Sequence, residues 1–202
     1  NKSINYIQRE MKNKFETKEI VLKNYTKIII REAQLSDAEQ LLACIKKYIS
    51  QSDYIPKYEH EIKLTIEQER DWIQSFMTYN NSLLLVAEFD NEIIGNIDLT
   101  GSRRQMMEHT AVIGMGMLAE WRNIGLGSAL LNEIICWSKS NPILEIIWLQ
   151  VYVQNELGLN LYRKMGFVES GTIKNFFKKD GTYFDNLTMI LNLKLKLCES
   201  II

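Results

Sequence analysis

The stretch WRNIGLGSALL, residues 121–131, places an arginine and two glycines where a predicted strand gives way to a predicted helix. A glycine inside a helix costs roughly 1 kcal/mol relative to alanine, so Gly125 and Gly127 call for a reason. The free N–H groups and the dipole at the start of a helix favour an anion. Without side chains at these two positions, and with the charge of Arg122 beside them, the turn is suited to a pyrophosphate group.

A glycine turn of this kind is also often no more than a tight connection, and two common nucleotide-binding motifs are absent. A Walker A loop needs Gly-Lys followed by Ser or Thr, and no Gly-Lys follows here. The dinucleotide fingerprint needs a third glycine and an acidic residue at the end of the next strand. The sequence at that point reads Val151-Tyr152-Val153-Gln154.

The hydrophobic patterns on either side of the turn predict alternating strands and helices. Strand 109–118, helix 125–139 and strand 145–153 form one βαβ unit, which a short helix ending at Gly166 follows. Short turns with Asx or Gly residues indicate three hairpins. These are centred on Asn24-Tyr25, Asp90-Asn91 and Asp180-Gly181.

Two amphipathic helices are predicted between the first and second hairpins. One opens at Ser36 with Glu39 three residues later, the other at Thr65 with Gln68, and each pair has the form of a capping box. The order ββαα, ββ, βαβα, ββ predicts an α/β (α+β) fold, a twisted, mostly antiparallel sheet of about six to seven strands flanked by about four helices. Residues 1–18, with a weak helix within 3–16, are expected to be an N-terminal extension of a single domain over 19–202.

The composition bears on the class of function. The 202 residues carry a net charge of −1 with dispersed basic residues, which does not fit a nucleic-acid-binding surface. No apolar run reaches the ~18 residues of a membrane span, and no secretory pattern is present. Cys44, Cys136 and Cys198 have no paired or metal-ligand spacing, which indicates reduced thiols. We therefore expect a cytoplasmic protein that binds neither a metal, nor nucleic acid, nor a membrane.

Two motifs resemble those of a known family. Arg122-Asn123-Ile124-Gly125-Leu126-Gly127 resembles the [Q/R]-x-x-G-x-[G/A] pyrophosphate loop of the GCN5-related N-acetyltransferase (GNAT) superfamily. About 30 residues later, Asn155, Gly158 and the run Leu161-Tyr162-Arg163-Lys164-Met165-Gly166-Phe167 resemble its N-x-x-[A/G]-x-x-L-Y-x-K-x-G-F segment. The general pattern is similar to the ribosomal-protein and small-amine acetyltransferase branches, and no motif chooses between them.

The resemblance implies an acetyl-CoA site in a sheet splayed between strands 109–118 and 145–153. It implies a bulge at Gly114–Met117, whose backbone would pair with pantetheine and direct one N–H at the thioester oxygen. Tyr162 would protonate the departing CoA thiolate. The cofactor-binding residues implied are Met115, Gly116, Met117, Arg122, Asn123, Ile124, Gly125, Leu126, Gly127, Ser128, Asn155 and Tyr162.

The general base is the point at which the sequence departs from the family. Many relatives carry a Glu in the strand before the loop, and the matching residue here is Val112. Glu108 and His109 lie just upstream and are candidate substitutes. A chain of water molecules, or an amine that arrives neutral, would serve equally well.

The resemblance implies transfer of an acetyl group from acetyl-CoA to a primary amine of a small molecule or peptide, by direct attack in a ternary complex. A non-catalytic acyl-CoA-binding module is the alternative, and a thioesterase is a third.

The acceptor pocket is expected from residues 50–63 and 172–186, which carry carboxylates and aromatic rings suited to a cationic amine. These are Asp53, Tyr54, Tyr58, Glu59, Glu61, Phe176, Phe177, Tyr183 and Asp185. A homodimer through an edge strand at 191–197 is one expectation, and protection of that edge by Lys194 and Lys196 is the other.

Overall fold

The computed structural model describes residues 14–194, apart from the side chain of Glu59. Cys198, the last part of the 191–197 segment and most of the helix predicted within 3–16 lie outside these residues. Cys44 is a buried free thiol and Cys136 an exposed one. Among the described residues, no helix is long and apolar enough to cross a membrane.

Eight strands and four α-helices follow one another in the predicted order. Their bounds are β1 Lys18–Val21, β2 Lys27–Glu32, α1 Ala38–Ser50, α2 Ile66–Thr78, β3 Leu83–Phe89, β4 Glu92–Gly101, β5 Thr110–Met117, α3 Leu126–Ser140, β6 Ile146–Tyr152, α4 Glu156–Lys164, β7 Val168–Lys179 and β8 Thr182–Asn192. One sheet contains all eight strands in the order β1-β2-β3-β4-β5-β6-β8-β7. The strand count exceeds the six to seven expected because the short β1 also joins the sheet.

The sheet opens between β5 and β6, its one parallel pair among the described strands. Only three residue pairs join them, Thr110–Val112 with Ile146–Trp148. Beyond Val112, β5 stays paired with β4 and β6 stays paired with β8, so the two strands diverge. The predicted splay is therefore confirmed, and it opens toward the glycine turn that follows β5.

The bulge predicted at Gly114–Met117 is wrong. The residues of β5 from Ala111 to Met117 pair one for one with Gly101 to Gly95 of β4, without a register shift. The glycines in this strand answer a steric need instead, because a Cβ on Gly116 would lie 2.3 Å from Cζ of Tyr48. A straight β5 is compatible with the splay because the divergence arises on its other side.

Helices cover both faces of the sheet and form two apolar cores. On one face α3 packs against the sheet, with Leu126, Leu130 and Ile134 fully buried. On the other face α1 and α2 bury Leu41 and Ile73 among other apolar side chains. The two helix layers meet the sheet on either side of the gap between β5 and β6, and so they also form its walls.

One of the two predicted helix caps is present. At the start of α2, Thr65 and Gln68 exchange side-chain and backbone hydrogen bonds. The cap predicted from Ser36 and Glu39 is wrong, because a 3₁₀ turn over Leu35–Asp37 precedes α1. Asp37 instead accepts a hydrogen bond from the Gln34 N–H and forms an ion pair with Arg31, which fixes the turn.

The segment expected at an edge of the sheet is described only in part. Leu191 and Asn192 belong to β8, which lies between β6 and β7 and is not an edge strand. The edges of the described sheet are β1 and β7. The homodimer through an edge at 191–197, and the alternative that Lys194 and Lys196 protect that edge, stay predictions, because this segment extends beyond the described residues.

Candidate active site

The gap between β5 and β6 opens into a cavity of about 1080 Å³. Its walls come from β4, β5 and β6, from α1, α2 and α4, and from the glycine turn before α3. At one end lie the turn and several basic side chains, and at the other lie buried side chains of α1 and α2. A cavity with a basic end and an enclosed end suits an elongated anionic ligand that brings a reactive group to an acceptor.

The glycine turn has the backbone geometry of an anion site. Gly125 has a φ of 101° and Asn123 a φ of 63°, both in the left-handed region where a side chain is strained. The first helical hydrogen bond of α3 runs from the Ala129 N–H to the Gly125 carbonyl. The N–H groups of Leu126, Gly127 and Ser128 therefore have no partner within the helix. Ile124 and Leu126 contribute backbone only, since both side chains pack in the core.

The second glycine of the turn is required for packing. A Cβ on Gly127 would lie 3.2 Å from Cε of Met117 and 3.3 Å from Cδ2 of Leu161. Met115 and Met117 are thus both core side chains beneath α3 and part of the cavity wall. The two glycines of the motif are therefore required for different reasons: Gly125 for its positive φ, and Gly127 for the close packing around it.

Two basic residues border the turn, and a third lines the cavity. Arg122 donates hydrogen bonds to the carbonyls of Gln51 and Met117 at 2.9 and 3.2 Å, so it ties α1 and β5 to the loop as well as lining the cavity. Lys23, between β1 and β2, is held by a bond from its N–H to the Ile124 carbonyl at 3.0 Å. A Cβ on Gly125 would lie 3.4 Å from Cγ of Lys23. Lys164 also lines the cavity.

The second motif lies on α4, whose Leu161 packs close to Gly127 of the turn. Asn155 caps this helix, with Oδ1 accepting from the Gly158 N–H at 3.0 Å, and it also lines the cavity. Tyr162 lines the same wall, and its ring packs edge-on against Phe167 with centroids 6.0 Å apart. Burial raises the pKa of Tyr162 to about 12, so the phenol is neutral and able to donate.

The outer edge of β5 faces the open gap. From Ile113 to Met117 this strand has no pairing with β6. Because the Leu118 N–H donates to Ile94 at the end of the β4–β5 ladder, the backbone groups of Gly116 also point toward β4, whereas those of Met115 and Met117 point toward β6. The Met117 carbonyl accepts from Arg122, so the N–H groups of Met115 and Met117 and the Met115 carbonyl remain available to an extended ligand, in the manner of an added strand.

Two predicted site residues are not brought to the cavity. Glu108 and His109 precede β5 at the end where it is hydrogen-bonded to β6, and neither lines the cavity. The His109 carbonyl accepts bonds from the N–H groups of Glu145 and Ile146, and the Glu108 carbonyl accepts from Asn81. Six residues of extended chain separate His109 from Met115, which is about 20 Å.

Two of the four carboxylates expected in the acceptor pocket are held in ion pairs with lysines. Asp53 forms an ion pair with Lys179, and Asp185 forms one with Lys174. Of the aromatic residues expected there, Tyr54 does line the cavity. It contacts Tyr152, whose ring stacks on Phe177 at 4.0 Å. The aromatic residues from the two predicted segments thus do come together, but without those carboxylates.

Two other carboxylates line the cavity, and the first is Asp98 of β4. It pairs across the ladder with Gly114, and Thr100 donates to its Oδ2 at 3.2 Å. Burial raises the pKa of Asp98 to about 7, although bonds from the Thr100 hydroxyl and the Gly114 N–H favour the charged form. A carboxyl with this pKa is able to exchange a proton near neutral pH.

The second carboxylate that lines the cavity is that of Glu69 in α2, a residue with only 1% of its surface exposed. Its Oε1 has no hydrogen-bond partner among the described residues, and burial raises its pKa to about 7. Tyr48 lies near both carboxylates: burial raises the pKa of its phenol, and the negative charges of Asp98 and Glu69 raise that pKa further. The Tyr48 hydroxyl donates to Oδ1 of Asn96 at 3.1 Å.

Neither carboxylate is among the predicted site residues, although each has a signal in the sequence. In NIDL, Asn96 and Asp98 alternate with apolar residues, which puts two polar side chains on one face of a central strand. Glu69 stands four and seven residues before Ile73 and Phe76, on the apolar face of its helix. A charge at a position that packing reserves for apolar residues indicates a functional site.

The chain belongs to the acetyltransferase (GNAT) family, whose family model matches residues 47–167. Among curated proteins it is 26% identical to the L-amino acid N-acetyltransferase AaaT of Escherichia coli over 160 residues, which cover 79% of this chain and 94% of that protein.

Solved structures agree on the fold. An acetyltransferase of the GNAT family from Streptococcus pneumoniae matches with a TM-score of 0.79 and 28% identity, over 82% of this chain and 99% of that one. A GNAT superfamily phosphinothricin acetyltransferase from Sinorhizobium meliloti, solved in complex with acetyl-CoA, matches with a TM-score of 0.72 and 16% identity, over 86% and 89%. Within residues 14–194, no group of three His, Cys, Asp or Glu side chains could hold a metal ion.

Proposed function

We propose that this protein transfers the acetyl group of acetyl-CoA to a primary amine, by direct attack within a ternary complex. The observation that carries the proposal is the gap between β5 and β6, which opens beside a glycine turn suited to an anion and is lined by a half-buried carboxyl, Asp98, and a half-buried phenol, Tyr162. Membership of the acetyltransferase (GNAT) family and similarity to a structure in complex with acetyl-CoA support it.

The basic end of the cavity suits the diphosphate of CoA. The free N–H groups that open α3 would bind the phosphate oxygens, and Lys23, Arg122 and Lys164 would add positive charge. Pantetheine would extend along the free edge of β5, beside Met115–Met117. Asn155 would reach its amides through the side-chain nitrogen, because the oxygen caps α4.

The reaction would occur at the enclosed end, between Asp98 and Tyr162. The amine nitrogen forms a bond to the acetyl carbon and the C–S bond breaks. Asp98 would accept the proton that the nitrogen loses, and Tyr162 would give its proton to the sulfur. An N–H of the β5 edge would stabilise the oxyanion. Asp98 stands one strand away from the position where Val112 replaces the usual Glu, and both face the same side of the sheet.

The alternative is a non-catalytic acyl-CoA-binding module, which Val112 favours. Calorimetric titration with acetyl-CoA, followed by thiol release with polyamines, aminoglycosides, amino acids and short peptides, separates the two. Binding with thiol release on one amine class supports an acetyltransferase. Binding without release from any amine favours the module, and release without any amine indicates a thioesterase.

A further inference from the structure

We propose that Glu69 binds a second cationic group of the acceptor, so that the preferred substrate is a diamine with an apolar spacer. One amine would be acetylated beside Asp98, while the other would remain an ammonium paired with Glu69. This inference rests on the proposed function and names its acceptor class.

Glu69 is a carboxylate that its own fold leaves without a partner. It faces the cavity from α2 with 1% of its surface exposed, and no ion pair reaches it from any described residue. Its Oε1 accepts no hydrogen bond. Lys57 also lines the cavity and acts on Glu69 at longer range. A buried, unpaired carboxylate is costly, and a cation that enters the cavity would offset the cost.

The space between the two carboxylates suits a hydrocarbon chain. Ile45 and Ile49 of α1 and Trp72 of α2 line the cavity, together with Tyr48, which lies near both carboxylates and whose ring lies against Gly116. Methylene groups gain on leaving water for such walls, whereas a polar spacer would be left unpaired. A diamine with methylene groups between its nitrogens therefore matches both the charges and the apolar wall.

The charge pattern also disfavours acceptors that carry a carboxylate. Of the basic side chains that line the cavity, Lys23 and Arg122 border the turn that suits the diphosphate, and Lys57 acts on Glu69. At the acceptor end, a free α-amino acid would bring its carboxylate toward Asp98 and Glu69, and like charges repel. We therefore expect diamines to be better substrates than amino acids.

The test compares matched pairs of acceptors in the thiol-release assay, from diaminopropane to diaminohexane, each against the n-alkylamine of the same chain length. For the wild type, kcat/KM for the best diamine should be at least about tenfold higher than kcat/KM for the alkylamine of the same chain length. A factor of this size corresponds to one charge-assisted hydrogen bond. Glu69→Gln should remove this preference by raising KM for the diamine toward KM for the monoamine of the same chain length. Glu67→Gln makes the same change at an exposed site on the same helix and should behave as wild type.

Other outcomes have distinct meanings. Equal use of diamines and monoamines, or a diamine preference that survives in Glu69→Gln, would overturn the role of Glu69 and leave the acetyltransferase standing. Thiol release from no amine in the series, with no calorimetric binding of acetyl-CoA, would overturn the proposed function as well. Thermal unfolding of both variants establishes that they fold.

Discussion

Asp98 and Gly114 face each other across the β4–β5 ladder so closely that a Cβ on Gly114 would lie 2.5 Å from Oδ1 of Asp98. The missing side chain at Gly114 thus makes room for the half-buried Asp98 carboxyl beside the open edge of β5. In the proposed reaction the Asp98 carboxyl accepts the proton of the amine, and an N–H of the β5 edge stabilises the oxyanion.

Gly114→Ala should lower kcat by about tenfold or more with little change in acetyl-CoA affinity, because a displaced general base loses its reach to the amine. Steady-state kinetics and calorimetric titration of the same preparation measure the two effects. Gly171→Ala is the matched control, since a Cβ there meets nothing within 4 Å. An unchanged kcat in Gly114→Ala would show that the reaction does not depend on the close approach of the Asp98 carboxyl to residue 114.

Asp98→Asn should abolish the pH dependence that the carboxyl imposes. Burial raises the pKa of Asp98 to about 7, so the fraction of base falls as the pH falls through 7. The wild-type rate should therefore decline on the acid side of pH 7, and Asp98→Asn should show a low rate without that inflection. An inflection near pH 7 that persists in Asp98→Asn would assign it to another group.

Tyr162→Phe should reduce kcat by about 10²-fold, the usual contribution of a positioned general acid, while acetyl-CoA binds nearly as before. The ring remains available to pack on Phe167, so the fold should be retained. Tyr183→Phe, which removes a hydroxyl from an exposed ring, serves as control. An unaltered kcat in Tyr162→Phe would mean that the thiolate leaves without this proton.

Lys23→Ala should weaken acetyl-CoA binding several-fold, and the loss should shrink as salt is added, because a partly exposed charge is screened. Lys27→Ala is the matched control: this lysine lies in the same hairpin and pairs with Glu19. Equal affinities for the two variants would show that Lys23 only holds the turn through its backbone bond to Ile124.

Local sequence patterns were sufficient for the order of elements. Asx and Gly turns marked all three hairpins, and the capping box at Thr65 marked the start of α2. Local patterns failed at the start of α1: in place of the cap predicted at Ser36, the Asp37 side chain accepts from the Gln34 N–H and pairs with Arg31, six residues earlier.

The site was predictable on its CoA side and missed on its acceptor side. The glycine turn and α4 are each continuous in sequence, so their motifs could be recognised directly. The acceptor side joins Glu69 on α2 with Asp98 on β4, and their proximity to Tyr48 depends on how the helices pack. The same limit explains Glu108 and His109, which are near β5 in sequence but at its opposite end.

The most direct test of the anion site is calorimetric titration of acetyl-CoA into Gly125→Glu, with Gly181→Glu as control. Both glycines have positive φ, at 101° and 81°, so both variants carry the same kind of backbone strain, and only Gly125 lines the cavity. We predict that Gly125→Glu loses detectable binding while Gly181→Glu binds as wild type. Binding that survives in a folded Gly125→Glu protein would contradict the assignment of the glycine turn to the diphosphate.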